Sequence, residues 1–171
     1  TWPSLDVEWA IHDASAWGSL GVVSSSSSIT LTSEPLESDY HVSGLPTFHA
    51  QVRANSCNGG QLFVTMSDGT TGLRLGHATM DLRYRDGAYE AKSVTPFASY
   101  TMQMQFNPMD VIIPEGNTIQ LEITESGEDY LPSTCATIGI TMDGEQPLSL
   151  PLIDRSPSDE RWFEVPPWWE E

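Results

Sequence analysis

Bases are scarce in this chain. Seven lysines and arginines stand against 24 acids, the net charge is −17, and Lys92 is the sole lysine. A surface of that sign repels phosphate backbones and anionic bilayers, which argues against nucleic-acid binding. The charge reads as a solubility device suited to a salty or marine setting; the sharper alternative is binding of calcium or of a cationic substrate. Cysteine is scarcer still. Cys57 and Cys135 either form one disulfide, which belongs in an oxidising compartment, or stay free. They make no CxxC and no paired Cys/His spacing for zinc. No apolar run approaches the ~20 residues that cross a bilayer, so no membrane span is expected. The chain begins at Thr1 with neither methionine nor signal peptide, which reads as a mature product or a piece excised from something longer.

Catalytic motifs are missing as well. No serine has glycines two residues to either side, so the GxSxG elbow of α/β-hydrolases is absent. There is no HExxH, no P-loop and no EF-hand loop. His12, His41, His49 and His77 are scattered and read as surface or half-buried side chains, and no local motif pairs Cys57 with a histidine. Helical periodicity is confined to the short "DASAWGSLG" at 13–21.

What the chain does have is alternation. "TFHAQVRA" puts Phe48, Ala50, Val52 and Ala54 on one face. "QLFVTM" opposes Leu62, Val64 and Met66 to Gln61, Phe63 and Thr65. "SYTMQMQFN", "TIQLEIT" and "ATIGITM" repeat the pattern, and "ITLTS" reads as a further strand. One apolar and one wet face per strand marks antiparallel sheets with a single buried side. Turns rich in Gly, Asp and Asn separate them: "CNGG" at 57–60, "SDGTTG" at 67–72, "RDG" at 85–87, "PEGN" at 114–117 and "MDGE" at 142–145. Many short strands at regular spacing predict an all-β, two-sheet sandwich of jelly-roll type. Ser99 to Pro132 is expected to form two core strands around the "PEGN" turn.

The acids and the tryptophans are the remaining candidates. Glu125, Glu128 and Asp129 in "TESGEDY" are the weak set for a structural calcium, against a background of solvated loop acids. Paired carboxylates for glycosidase chemistry need rigid strands, and most of these acids fall in loops. Trp2 and Trp9 near one end, and Trp162, Trp168 and Trp169 near the other, are too much aromatic area for fraying termini. They are expected either to form an exposed patch beside Thr1 or to fold back into the sandwich. Residues 1–27 are read as a lead-in packing on the domain, and 28–171 as the sandwich itself.

In order, the segments resemble a known family. "TSEPL" at Ser33–Leu36, Gly44 and Pro46 before an apolar strand, "LFVTMSD" at Leu62–Asp68, "RYRDG" at Arg83–Gly87, "PFASY" at Pro96–Tyr100 and "GNTIQLEI" at Gly116–Ile123 match the C-terminal domain of X-Pro dipeptidyl-peptidases, cocaine esterase and α-amino acid ester hydrolases. "TWP" fits the segment that leads into it. Two departures stand out: Asn117 replaces the family's histidine, and the "S..FP" ending is stretched to "ESGEDYLP". The resemblance implies a galactose-binding-like jelly roll that buttresses an α/β-hydrolase domain and helps wall its active site. The serine, aspartate and histidine of that triad lie upstream in the family and none maps here, so the resemblance implies a chain with no catalytic residue and no cofactor beyond the calcium already considered. The implied parent is a secreted or cell-surface serine peptidase or acyl hydrolase, whose catalytic domain is the partner. In an exported parent Cys57 and Cys135 would pair. The rival expectation is an independent carbohydrate- or ligand-binding module using Trp162, Trp168 and Trp169; a third, a small enzyme with loop carboxylates, has the least support.

Overall fold

A computed structural model of the chain describes residues 4–6, 9–10, 21–24, 28–54, 59–87, 89–125, 137–141 and 148–153. Among them the chain runs as thirteen strands: β1 (Ser4–Asp6), β2 (Trp9–Ala10), β3 (Gly21–Ser24), β4 (Ile29–Ser33), β5 (Tyr40–Gly44), β6 (Thr47–Ala54), β7 (Gln61–Asp68), β8 (Arg74–Asp81), β9 (Ser99–Gln105), β10 (Met109–Ile113), β11 (Ile119–Thr124), β12 (Thr137–Thr141) and β13 (Leu148–Pro151). A single 3-10 turn, Leu82–Tyr84, follows β8. The candidate helix falls largely outside these residues, and Gly21 opens β3.

All pairings are antiparallel. One sheet has the order β2-β4-β11-β7-β8. The other is centred on β6, which pairs β9 along one edge and shares the other between β13 and β12; β1 adds to β13 and β3 to β12. β5 and β10 form a two-stranded ribbon, tied to the end of β13 by a bridge between Val42 and Leu152. The alternation explains why the sheets face each other. Phe48, Val52, Met102 and Met104 from the β6 sheet join Leu31, Val64, Met66, Leu121 and Ile123 from the other in one buried cluster, with Val42 and Ile113 of the ribbon closing one side. The wet residues of β9, Thr101, Gln103 and Gln105, are exposed as their period-two positions require. The fold is thus an all-β antiparallel sandwich, as the alternation implies.

Two expectations need correction. Phe63, placed on a wet face, is buried. The His77 ring stacks on it at 5.4 Å, and the Arg74 guanidinium lies 6.0 Å from its centre. Ser99 to Pro132 is not two core strands around "PEGN". The described part of it, up to Glu125, supplies three strands to three different sheets. β10 turns away after Phe106 and Asn107, whose amides are taken by the carbonyls of Pro46 and His77, and pairs β5. The "PEGN" turn therefore carries the chain from the ribbon into the β2-β4-β11-β7-β8 sheet rather than closing a hairpin.

Candidate functional site

Trp2, Trp162, Trp168, Trp169, Cys57, Cys135, Glu128 and Asp129 lie outside the described residues. Trp9 sits in β2, in register with Ser33 of β4. Glu125 is buried directly after β11. Among the described residues no three His, Cys, Asp or Glu side chains converge as a metal would require. Of the histidines, His41 is half-buried and its Nε2 bonds Asp110 Oδ1, tying β5 to β10; His77 is occupied with Phe63.

The structure instead joins three sequence fragments at one junction. The β7–β11 register sets Asp68 opposite Ile119, so the end of "LFVTMSD" meets the start of "GNTIQLEI". Asp68 is 5% exposed. Its Oδ1 accepts the amides of Thr70 and Thr71 at 2.9 and 3.1 Å, and its Oδ2 accepts Asn117 Nδ2 at 2.8 Å. From "TSEPL", Ser33 Oγ accepts the Ile119 amide at 2.8 Å and donates to the Glu34 carbonyl, while Leu36 exchanges backbone bonds with Asn117 and Gly116. Burial pushes the Asp68 carboxyl up, but the bonds from Thr71, Thr70 and Asn117 together outweigh it and hold it below the usual carboxylate range. Asn117 thus supplies a neutral donor where the resembling family places histidine. This junction ties the end of β7, the start of β11 and the segment after β4 together at one end of their sheet.

The second concentration of polar and aromatic groups is the long connection from β8 to β9, residues 82–98. Leu82 and Val94 are buried and anchor it. Arg85 does most of the fastening. Its guanidinium lies over the Tyr100 ring, 4.3 Å from the centroid, and donates to the carbonyls of Leu82 (2.9 Å) and Ser93 (3.3 Å). The Tyr100 hydroxyl accepts the Thr95 amide at 2.7 Å. That bond, with Arg85 beside the ring, holds the phenol below its ordinary value. Arg53 Nε reaches across from β6 to the Phe97 carbonyl at 3.0 Å. Arg83 forks onto Asp81 at 2.6–3.1 Å, and Lys92 Nζ meets Asp86 at 2.8 Å. The pairing with Lys92 lowers the Asp86 carboxyl. At Asp81 burial pushes up, and the Arg83 bonds reverse it to a net lowering. Against this fastened connection lies an open groove of about 560 Å³, lined by Thr79, Met80, Asp81, Tyr84, Arg85, Asp86, Gly87 and Gln103. Its carboxylates are already paired with cations, and nothing in it combines a nucleophile with a base.

The sequence profile of the X-Pro dipeptidyl-peptidase C-terminal non-catalytic domain matches residues 6–158. The chain belongs to that family. No curated protein sequence matches it. Among solved structures, this X-Pro dipeptidyl-peptidase C-terminal domain is similar to a CocE/NonD family hydrolase from Staphylococcus aureus, with a TM-score of 0.67 and 10% identity over 90% of this chain and 37% of that one. It is also similar to an α-amino acid ester hydrolase, with a TM-score of 0.60 and 20% identity over 74% of this chain and 25% of that one. An aminopeptidase from a marine sediment archaeon, Thaumarchaeota, gives 0.60 and 16%, over 86% and 28%. At these identities the likeness is one of fold. The domain spans between a quarter and little over a third of the length of those chains.

Proposed function

We propose that this X-Pro dipeptidyl-peptidase C-terminal domain works as a buttress for a serine-hydrolase catalytic domain of the α/β type, helping to wall the active site of an exported peptidase or acyl hydrolase. The observation that carries the reading is the match to a non-catalytic C-terminal domain over residues 6–158, in a chain that spans only 25–37% of the similar solved proteins. A sandwich with one contiguous buried core suits that role, because it can hold a neighbouring loop in place without contributing a reacting group. The tryptophans Trp2, Trp9, Trp162, Trp168 and Trp169 remain candidates for the contact on composition alone, and the sugar-binding alternative rests on three of them. The test compares the full-length gene product with a version ending before Thr1, on X-Pro p-nitroanilides and phenyl esters. The expected result is a truncated protein with a lower melting temperature and a kcat/KM reduced at least about tenfold, because active-site walls position substrate. Equal kcat/KM and equal melting temperature would contradict the buttress.

A further inference from the structure

The β8–β9 connection has properties that the rest of the described surface does not share. Its exposed rings are Tyr84, Tyr89 and Phe97, at 37%, 103% and 59% exposure, and these are the exposed aromatic side chains that the structure describes. Between Asp81 and Ala98 three acids face three bases, so the stretch is neutral while the remaining residues carry the whole −17. Burying a surface is costly when its charge is unbalanced, so this neutral stretch is less costly to bury than the acidic remainder of the chain. The stretch is also held in advance at residues 83–87 and 92–98. Besides the Arg85, Arg53 and Lys92 bonds, the Gly87 amide donates to the Tyr84 carbonyl at 3.0 Å, the Lys92 amide to the Arg83 carbonyl at 2.7 Å and the Ala98 amide to the Thr95 carbonyl at 3.2 Å. Little ordering entropy is left to lose on association. Phe97 sits at φ 65°, the one described non-glycine residue in the left-handed region. Such strain persists only where the surroundings over-determine it, and here it holds a bare phenyl ring out to solvent.

We propose that Tyr84, Tyr89 and Phe97, with Arg83 over the Tyr84 ring and Lys92 paired to Asp86 of the adjoining groove, form the face on which the catalytic domain of the same polypeptide sits. The inference rests on the accessory-domain reading above and adds where the contact is made. The occupant follows from three facts. The family is a C-terminal non-catalytic domain. The similar solved chains are about three to four times as long as the part this chain covers. The face itself is aromatic and charge-balanced, which suits a permanent contact within one chain better than a soluble polar ligand. The rings insert and the paired ions form the rim.

The test measures amide hydrogen exchange over Tyr89–Ala98 in the 171-residue chain and in the full-length gene product, and repeats both on Tyr89→Asp combined with Phe97→Gly. Glycine takes the left-handed conformation without cost and both rings are exposed, so the isolated double variant keeps its melting temperature. The expected result is exchange slowed at least about tenfold in the full-length protein, with the variant abolishing that slowing and lowering the full-length melting temperature by about 5 °C. Equal exchange in the two forms, or a melting temperature that falls equally in both, would overturn the proposal. Slowing that appears in the isolated chain as its concentration rises would assign the face to a second copy, and would overturn it too. A gene product without an upstream hydrolase domain would remove the accessory-domain reading itself; a hydrolase domain present with Tyr89–Ala98 unprotected would remove only this face.

Discussion

Replacing Arg85 with methionine should loosen the β8–β9 connection more than any other single change in it. The side chain makes four interactions at once: the stack on Tyr100 at 4.3 Å, the donations to the Leu82 and Ser93 carbonyls at 2.9 and 3.3 Å, and a long ion pair with Asp86 at 3.9 Å, which is half-exposed and adds little. Hydrogen bonds from a charged donor contribute about 1.5–3 kcal/mol each, and the longer Ser93 bond belongs at the bottom of that range. A part-desolvated cation over an aromatic ring adds about 0.5–2 kcal/mol. Methionine recovers some of the packing of the aliphatic stem, and the freed carbonyls can turn to water. The net expectation is a loss of about 2–4 kcal/mol, which for a domain of this size lowers the melting temperature by about 5–15 °C. Urea denaturation of the isolated chain reads it as a shift of midpoint at constant slope. Arg85→Lys keeps the charge but neither the planar stack nor the fork, so it should restore less than half of the loss. A change below about 0.5 kcal/mol for Arg85→Met, or full rescue by lysine, would refute the view that the guanidinium fastens this connection.

Three further outcomes follow from the same geometry. Asp68 is held below its unfolded value, so its contribution is complete above about pH 4–5 and is lost as pH falls through the folded value; the stability gap between the native chain and Asp68→Asn should therefore shrink on acidification from pH 7 to pH 3, and a constant gap would contradict the assignment. Asn117→Leu, which strips the Asp68 carboxylate of one of its side-chain donors, should cost about 1–3 kcal/mol in urea, while Asn117→His retains most of the stability by keeping a donor. A Cβ at Gly69 would lie 2.6 Å from Thr118 Oγ1 and 3.3 Å from Gln120 Cβ, whereas at Gly76 it would meet the flexible end of Met109 at 2.8 Å; Gly69→Ala should cost about 1–3 kcal/mol and Gly76→Ala less, and the reverse order would show that the close approaches do not decide the cost.

The sequence made the sandwich legible wherever one face of a strand is buried and the other wet. β6, β9 and β11 repeat their apolar residues at every second position, and Met102, Met104, Leu121 and Ile123 are fully buried. Strands without that contrast were hidden. β5 has one buried residue, Val42, among five; β8 is half-buried on both faces, with only Ala78 fully enclosed; β10 reads as the apolar run Val111–Ile113 yet leaves Ile112 57% exposed. Their pairing depends on partners distant in sequence, which no local pattern reports. The Asp68 junction was present as separate fragments, and only the β7–β11 register brings Asp68 to Asn117 across 49 positions. "YRDG" reads as a turn, and residues 85–87 do turn, but nothing local to it announces that Arg85 would find Tyr100, fifteen residues on.

If the parent's reacting groups lie outside this domain, covalent labelling will find them upstream of it. The full-length gene product is treated with a fluorophosphonate, which captures an activated serine, and the labelled peptide is mapped by mass spectrometry. The expected result is a single labelled serine upstream of Thr1, with none between Thr1 and Glu171 and no labelling of the isolated chain. A labelled serine within the 171 residues would contradict it.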